Sequence, residues 1–243
     1  MKNYQGKVAL ITGATGSLGR TMALRLAERA GRIGVHYFHQ RQEARATVRK
    51  LGEQGIESFA FKADLSSPAG AKKLIKMVEG KWARVDILVN NFGPLLEKPW
   101  EKTSVQDWLY LFQTNVLASF ELIKAFVPGM KARKWGRIIN IGFHRAGQIV
   151  AFPDILPYAA AKTSLLILTR TAAATLSRYG ITVNMVSPGL IQGGQLPRLV
   201  RDSSSAVVMG RAEDVAEAVS FLASEEASAI SGTNLIVAGT WKL

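Results

Sequence analysis

The chain has 243 residues, a formal net charge of +13 and no cysteine, and 48% of its residues are hydrophobic. This apolar content excludes a disordered chain, and the length allows a substantial buried core. The lack of cysteine excludes disulfides, thiolate metal sites and cysteine nucleophiles, and with only three histidines we expect no metal site. No apolar run is long enough to cross a bilayer and no signal-peptide pattern is present, so we expect a cytoplasmic protein without a membrane partner.

Basic residues are concentrated in one part of the chain. From Leu122 to Arg201 there are eleven Lys or Arg residues and a single acid, Asp154. Such an asymmetry favours anionic ligands or an acidic protein partner, whereas basic residues at helical spacing elsewhere are typical of solvated helix faces. Nucleic acid is a third candidate partner, but no nucleic-acid-binding motif is present, so we expect none.

Short apolar runs alternate with longer amphipathic segments along the whole chain. The runs are rich in β-branched residues and lack polar alternation, which indicates strands buried on both faces of a parallel sheet. The predicted strands are 8–11, 33–35, 58–61, 87–89, 137–141, 182–186 and 234–237. Helices are predicted over 17–30, with Gly31 as the stop, and from Ser67–Pro68 towards Trp82, and others begin near Ser104, Asn115, Tyr158 and Glu213.

This alternation predicts the fold class. Strand, helix and strand repeat without an obvious linker or internal repeat, which is the pattern of βαβ units with right-handed crossovers. We therefore expect a single α/β domain over residues 1–243. It would be a Rossmann-type, doubly wound parallel sheet of about seven strands flanked by helices.

The first predicted strand ends in a glycine-rich turn, T12-G-A-T-G-S-L-G19, which runs directly into a helix. Glycines allow a tight turn and let backbone N–H groups approach a pyrophosphate, which the positive end of the helix dipole favours. Between the first strand and the first helix of a βαβ series, such a turn indicates a dinucleotide-binding site. The alternative is a tight turn with no ligand.

The end of the second predicted strand bears on which dinucleotide binds. Folds that prefer NAD place an acid on the ribose roughly 20 residues past the glycines, but residues 29–42 contain no acid. His39 and Arg41 stand there instead, where both are able to contact a 2′-phosphate. We therefore expect NADP(H) in preference to NAD(H). The alternative for Arg41 is that it simply begins a solvated helix.

Tyr158 and Lys162 are separated by three alanines, so their side chains share one face of a predicted helix. A lysine ammonium beside a tyrosine stabilises the phenolate and lowers the tyrosine pKa, which makes the tyrosine a usable general acid near neutral pH. The spacing alone is common in proteins. Its place after the fifth strand of this fold is what gives it functional weight.

Together these motifs resemble those of the short-chain dehydrogenase/reductase family, and the chain is similar over essentially its whole length to the 3-oxoacyl-carrier-protein reductase-like branch. Further motifs that carry the resemblance are Asp64-Leu65 after the third strand, N90-N-F-G93 after the fourth, Asn115 in the central helix, Pro188-Gly189 after the sixth strand, and R211-A-E-D-V-A-E-A-V-S-F-L-A-S224 before the last.

The resemblance implies roles for individual residues. Tyr158 would protonate the substrate carbonyl oxygen, Lys162 would hold the nicotinamide ribose and depress the tyrosine pKa, and Asn115 would keep a water in the proton relay. The implied cofactor contacts are Gly13, Thr15, Ser17, Leu18 and Gly19 at the pyrophosphate, Asp64 and the adjacent Leu65 at the adenine, Asn91 and Gly93 at the adenosine ribose, Pro188, Gly189 and Ile191 beside the nicotinamide, and His39, Arg41, Tyr158 and Lys162.

The sequence departs from the family pattern at four positions. Ser17 replaces a glycine, with Gly16 one place earlier, Phe92 replaces an alanine, and Gly193 replaces a threonine that reaches the carboxamide. Phe143 occupies the position of the substrate-orienting serine, in a segment that is longer than usual. Losing one such donor costs on the order of 10²–10³ in rate. His144 and Asp154 are candidates for a substitute polar group.

Two functions remain open from the sequence. One is an NADP(H)-dependent oxidoreductase that transfers a hydride to a carbonyl, such as a 3-oxoacyl thioester, or to an activated double bond. Its acyl group would be carried by an acidic carrier protein or coenzyme A, met by Arg133, Lys134 or Arg178. The other is a catalytically weak or silent, cofactor-binding regulatory member of the family, because Phe143 lacks a donor.

The resemblance also bears on assembly and on substrate specificity. Family members are tetramers or dimers, so we expect a homo-oligomer formed through the helices that start near Asn115 and Tyr158. A substrate loop is expected over about residues 193–210, where family members carry a mobile lid.

Overall fold

A computed structural model describes residues 4–28, 30–192 and 209–239, with the side chains described from residue 6 onwards. Seven strands form one sheet in the order β3-β2-β1-β4-β5-β6-β7, and every neighbouring pair is parallel. The strands are β1 (Tyr4–Ile11), β2 (Ala30–Tyr37), β3 (Glu57–Lys62), β4 (Ile87–Asn90), β5 (Gly136–Ile141), β6 (Ile181–Pro188) and β7 (Asn234–Val237). The predicted doubly wound parallel sheet is confirmed.

Helices cover both faces of this sheet because successive strand residues point to opposite sides. Ala9 and Ile11 pack in the core beneath one group of helices, while Val8 and Leu10 pack in the core beneath the other. The first group is α1 (Ser17–Ala27), α2 (Arg41–Glu53) and α7 (Ala212–Leu222). The second is α3 (Pro68–Trp82), α5 (Ala118–Ala132) and α6 (Leu156–Leu176), and α4 (Val105–Phe112) packs against α6.

The predicted helix starts are governed by capping. The hydroxyl of Ser67 accepts a hydrogen bond from the Gly70 N–H at 3.2 Å, and Pro68 occupies the first helical position of α3. Ser104 forms a reciprocal capping box with Asp107 at the start of α4. Each cap satisfies backbone donors that have no partner within the helix, which is why the short polar residues in the sequence marked these boundaries correctly.

Two predicted helix boundaries are wrong. The structure ends α1 at Ala27, and Ala30 and Gly31 belong to β2. A side chain at Gly31 would lie 2.7 Å from the backbone nitrogen of Gly6, so this glycine serves close strand packing and does not stop the helix. The helix expected from Asn115 is preceded by a π-helical turn, Gln113–Leu117, which joins α4 to α5 and contains Asn115.

Over the described ranges, no helix is long and apolar enough to cross a membrane. The same residues contain no group of histidine, cysteine, aspartate or glutamate side chains arranged to hold a metal ion.

The two glycines of α3 predict opposite effects of alanine substitution. A methyl group on Gly70 would collide with the Asp64 carbonyl oxygen, whereas Gly80 has open space around it. We expect Gly70→Ala to lower the free energy of unfolding by about 1–3 kcal/mol through overpacking. Gly80→Ala should raise it by roughly 0.5–1 kcal/mol because alanine loses less conformational entropy in a helix. Denaturant unfolding measures both, and equal effects would contradict this account of α3.

Candidate active site

A cavity of about 490 Å³ opens at the carboxyl ends of the central strands. In open α/β sheets ligands bind at this edge, next to the point where the strand order reverses. Between β1 and β4 the connections diverge to opposite halves of the sheet, which creates such a point. The predicted site residues that line the cavity are Ser17, Leu18, Asn91, Gly93, Tyr158, Lys162, Pro188, Gly189 and Ile191.

The glycine turn brings the start of α1 to one end of this cavity. Gly13 has a positive φ of 61°, which favours glycine, and Gly16 is the N-cap residue of α1. A side chain at Gly19 would collide with the Gly13 carbonyl oxygen, so this glycine allows the helix to approach the strand closely. Space is open around Gly16 and the helix N-terminus faces the cavity, so the turn fits an anionic pyrophosphate.

Hydrogen bonds fasten the glycine turn to the end of β4. The Thr12 hydroxyl accepts from the backbone N–H groups of Asn91 and Phe92, both at 2.9 Å. The Asn91 amide in turn donates to the carbonyls of Thr12 and Gly13 at 3.0 Å. Asn91 therefore holds the turn in place, and its implied contact with the adenosine ribose stays a prediction.

His36 is a site residue that the sequence interpretation missed. Its side chain is fully buried in β2, where Nδ1 accepts from the Gly13 N–H and Nε2 lies 3.1 Å from the Ala63 carbonyl oxygen. These partners require a neutral ring with the proton on Nε2. Burial lowers its pKa to about 4, which keeps the ring neutral near pH 7. A histidine inside an otherwise apolar strand was the signal available in the sequence.

The residues expected at the adenosine end lie beyond this turn. His39 is exposed and its ring centroid is 3.9 Å from that of Phe38. Arg41 is exposed and is the first residue of α2, and its implied contact with a 2′-phosphate stays a prediction. Asp64 accepts from the Ser66 N–H and hydroxyl through one oxygen. Leu65 is buried, and its implied contact with the adenine stays a prediction.

Tyr158, Lys162 and Asn115 are brought together from two helical segments. Lys162 is buried and its ammonium donates to the Ile141 carbonyl at 2.7 Å, which fixes it at the end of β5. Gly93 packs directly against both Lys162 Nζ and Asn115 Oδ1, so a side chain there would displace them. The π-helical turn directs Asn115 inward, where its amide donates to the Leu111 carbonyl at 3.1 Å.

Burial sets the protonation of the central pair. It lowers the pKa of Lys162 to about 7 and raises the pKa of Tyr158 above its usual value. The direction for Tyr158 is opposite to the one expected from the Tyr–Lys spacing. Desolvation disfavours both charged forms and outweighs the attraction between them, because the Lys162 nitrogen lies 5.7 Å from the tyrosine ring centroid. The phenol is therefore protonated near neutral pH.

Phe143 follows β5 and forms part of the cavity wall. Its ring centroid lies 5.6 Å from that of Tyr158 and 5.7 Å from that of Phe152. It offers no hydrogen-bond donor to a substrate. His144 and Asp154, the candidates for a substitute polar group, also line the cavity. The backbone N–H of His144 donates to the Pro188 carbonyl. Their contact with a substrate stays a prediction.

The expected substrate loop lies mainly outside the described residues. Positions 193–208, including the Gly193 departure, belong to that part of the chain. Gly210 is described and pairs back onto the strand end, donating to the Leu190 carbonyl at 2.8 Å and accepting from the Gln192 N–H at 2.9 Å. Gly210 is thus held beside the residues that follow β6.

The basic residues proposed to meet an acyl carrier lie at the opposite edge of the sheet. Arg133 and Lys134 precede β5, whereas the cavity follows its other end, roughly 20 Å away for a strand of this length. Arg178 precedes β6 in the same way. The Arg133 guanidinium is also engaged by Asp86 at 3.0 Å. Within one chain, these side chains do not reach the cavity.

Comparison with known proteins identifies the relatives of this chain. Residues 13–240 match the family model described as enoyl-(acyl carrier protein) reductase. The chain is 34% identical over 240 residues to the 3-oxoacyl-(acyl-carrier-protein) reductase FabG of Staphylococcus epidermidis, with 96% of this chain and 98% of that protein covered.

Solved structures of similar proteins share the fold of this chain. A gluconate 5-dehydrogenase from Burkholderia cenocepacia, in complex with NADP and tartrate, is 30% identical with a TM-score of 0.87 and covers 98% of this chain and 95% of its own. A blue fluorescent protein from a metagenomic library, in complex with NADPH, is 31% identical with a TM-score of 0.90 and covers both chains fully, at 100%.

The two hydrogen bonds of His36 predict how its variants behave. The amide oxygen of Asn occupies the position of Nδ1, so His36→Asn should keep the bond to Gly13, whereas His36→Gln should keep the bond to Ala63. We expect His36→Asn to bind dinucleotide within about threefold of the wild type and His36→Gln to bind about fivefold more weakly, because only the second loses the hydrogen bond to the glycine turn, which costs about 1 kcal/mol.

Cofactor fluorescence titration measures both affinities, and thermal unfolding of the two variants serves as the control for folding. Equal dinucleotide affinities at equal stability would contradict the assigned role of the Gly13 bond.

Proposed function

Because this chain belongs to the short-chain dehydrogenase/reductase family, whose matched relatives are named oxidoreductases acting on CH–OH or C=O groups, we propose that it is an NADP(H)-dependent enzyme that transfers a hydride to a carbonyl. The observation that carries this proposal is that Tyr158 and Lys162 line one cavity beside the glycine turn, with Asn115 and Lys162 both against Gly93 in its wall. A 3-oxoacyl thioester is one substrate of this kind, in keeping with the name of the reductase relative.

The residues around the cavity fit a dinucleotide. We infer that Gly13, Thr15 and Ser17 to Gly19 hold the pyrophosphate, with Asp64, Leu65, Asn91 and Gly93 towards the adenosine and Pro188, Gly189 and Ile191 beside the nicotinamide. This orientation of the dinucleotide is supported by the open space at Gly16 and by the close approach of Gly93 to Lys162. NADPH, when bound, supplies the hydride for the reduction.

The chain's own contribution to the reaction is a proton and an oriented charge. Tyr158 carries its proton near neutral pH, as a phenol of ordinary or raised pKa does, so its hydroxyl donates to the carbonyl oxygen as negative charge develops there. Lys162, fixed by the Ile141 carbonyl, stabilises the resulting phenolate when it carries its proton. The buried Asn115 Oδ1 has no hydrogen-bond partner among the described residues and lies beside Lys162, which suits a water-mediated proton relay.

A second candidate function follows from Phe143. This residue places a hydrocarbon ring, and no donor, beside Tyr158, which supports a cofactor-binding member of the family with weak or no catalysis. Tight NADPH binding without turnover of any carbonyl in a broad panel would favour this candidate over the reductase.

The proposal extends to assembly, substrate delivery and location. We propose one domain that forms a homodimer or homotetramer, supported by large apolar side chains that α4 and the neighbouring helices leave exposed. In delivery of the substrate on acyl carrier protein or coenzyme A, Arg133, Lys134 and Arg178 would act from a neighbouring subunit, since they lie far from the cavity of their own chain. The exposed apolar side chains that support assembly are Val105, Leu109, Tyr110, Leu117, Phe120 and Ile167.

A cytoplasmic location stays a prediction.

Preference for NADPH is expected to depend on Arg41. Its exposed guanidinium forms no ion pair with a described carboxylate and stands at the end of β2, where a 2′-phosphate would lie. We expect Arg41→Ala to weaken NADPH binding about tenfold, the loss of one charge-assisted contact, and to leave NADH binding within about twofold. Fluorescence titration with both cofactors measures this. Arg45→Ala, one helical turn further along α2, is the matched control, and a parallel loss of NADH binding would refute the assignment.

Tyr158→Phe tests the general acid directly. The variant keeps the ring that packs on Phe143 and loses only the hydroxyl. We expect kcat for carbonyl reduction to fall by about 10²–10⁴, the usual contribution of a positioned acid, with NADPH affinity changed by less than about threefold. Steady-state kinetics and a cofactor titration measure the two quantities. Full turnover by Tyr158→Phe on a substrate that the wild type reduces would exclude this residue as the acid.

A further inference from the structure

Aromatic rings form one wall of the cavity beside Tyr158. Phe143 lies between Tyr158 and Phe152 and is in edge or tilted contact with both rings. We propose that the substrate carbonyl carries a flat ring, aromatic or conjugated, that packs against Phe143 and Phe152, so that Phe143 determines specificity. This inference rests on the proposed reductase function and names the substrate class for the same site.

Phe143 is held rigidly from behind. It is 8% exposed and belongs to a small core cluster formed by residues of α6 and β6, including Ala159, Leu165 and Met185. Its neighbours prevent it from swinging out of the wall when a ligand arrives. The ring therefore presents a fixed surface to the cavity.

Phe152 is held with similar firmness although it lies in a loop. The next two residues form backbone hydrogen bonds with the segment after β4. The Pro153 carbonyl accepts from the backbone N–H of Trp100 at 3.0 Å, and the Asp154 carbonyl accepts from the backbone N–H of Lys98 at 2.7 Å. The Arg145 guanidinium stacks on the Phe152 ring at 4.9 Å from its centroid. Both rings of the wall are thus fixed before a substrate binds.

A fixed aromatic wall selects for a flat, rigid ligand. A ring loses little conformational freedom on binding, whereas a flexible alkyl chain must be ordered along the same wall. Contact between aromatic rings also contributes beyond the area that it buries, which corresponds to about two- to tenfold in affinity. Since Tyr158 contacts Phe143, a carbonyl that reaches the tyrosine hydroxyl brings its substituent next to this wall.

Two ketones of nearly equal size test this inference. Acetophenone and cyclohexyl methyl ketone share the reacting group and differ in whether the ring is flat. With NADPH we expect the wild-type chain to show a higher kcat/KM for acetophenone. Phe143→Leu, which keeps an apolar side chain but removes the ring, should lower the ratio of the two kcat/KM values by about two- to tenfold.

Phe59→Leu is the matched control, because Phe59 is exposed on β3 at the far edge of the sheet, and it should leave the ratio unchanged. NADPH titration of Phe143→Leu checks that the variant is folded. A wild-type ratio at or below one, or a ratio that Phe143→Leu does not move, overturns the inference. Turnover confined to aliphatic carbonyls overturns it and leaves the reductase proposal intact, whereas a chain that reduces no carbonyl at all removes both.

Discussion

The conformation of the glycine turn depends on buried hydrogen bonds that fix it to two neighbouring strands. On one side the Gly13 N–H is held by His36 of β2, and on the other Asn91 donates to the Thr12 and Gly13 carbonyls from the end of β4. A buried polar group without a partner costs roughly 1–3 kcal/mol. Any movement of the turn that breaks these hydrogen bonds carries that cost, so His36 and Asn91 both stabilise the turn and restrict its geometry. These hydrogen bonds therefore determine where α1 starts and where the cavity in front of it lies.

Desolvation has the corresponding effect at the other end of the cavity, around Tyr158 and Lys162. Lys162 is almost fully buried, and this desolvation lowers its pKa to about 7, while Tyr158 retains its proton. In the proposed reduction, the carbonyl oxygen would take this proton from Tyr158. The π-helical turn at Asn115 belongs to the same arrangement, because it brings a polar side chain of the central helix to Gly93 and Lys162.

Phe92 and Phe143, which were predicted to depart from the family pattern, have different surroundings. Phe92 packs edge-on against His36, with ring centroids 6.1 Å apart, and so adjoins the network that holds the glycine turn. Phe143 packs against Tyr158 and Phe152 and faces the cavity. The first therefore bears on the scaffold around the cofactor site. The second gives the cavity an apolar surface beside Tyr158.

The sequence by itself determined the parallel sheet, the glycine turn and the Tyr158–Lys162 pair, because hydrophobic runs, capping residues and helical spacing are local signals. It placed the end of α1 wrongly, since Gly31 is required by its contact with Gly6 in another strand. Only the tertiary structure showed the buried role of His36, the direction of the Tyr158 pKa and the aromatic wall at Phe143. Each of these depends on burial and on partners distant in the chain, which no local pattern encodes.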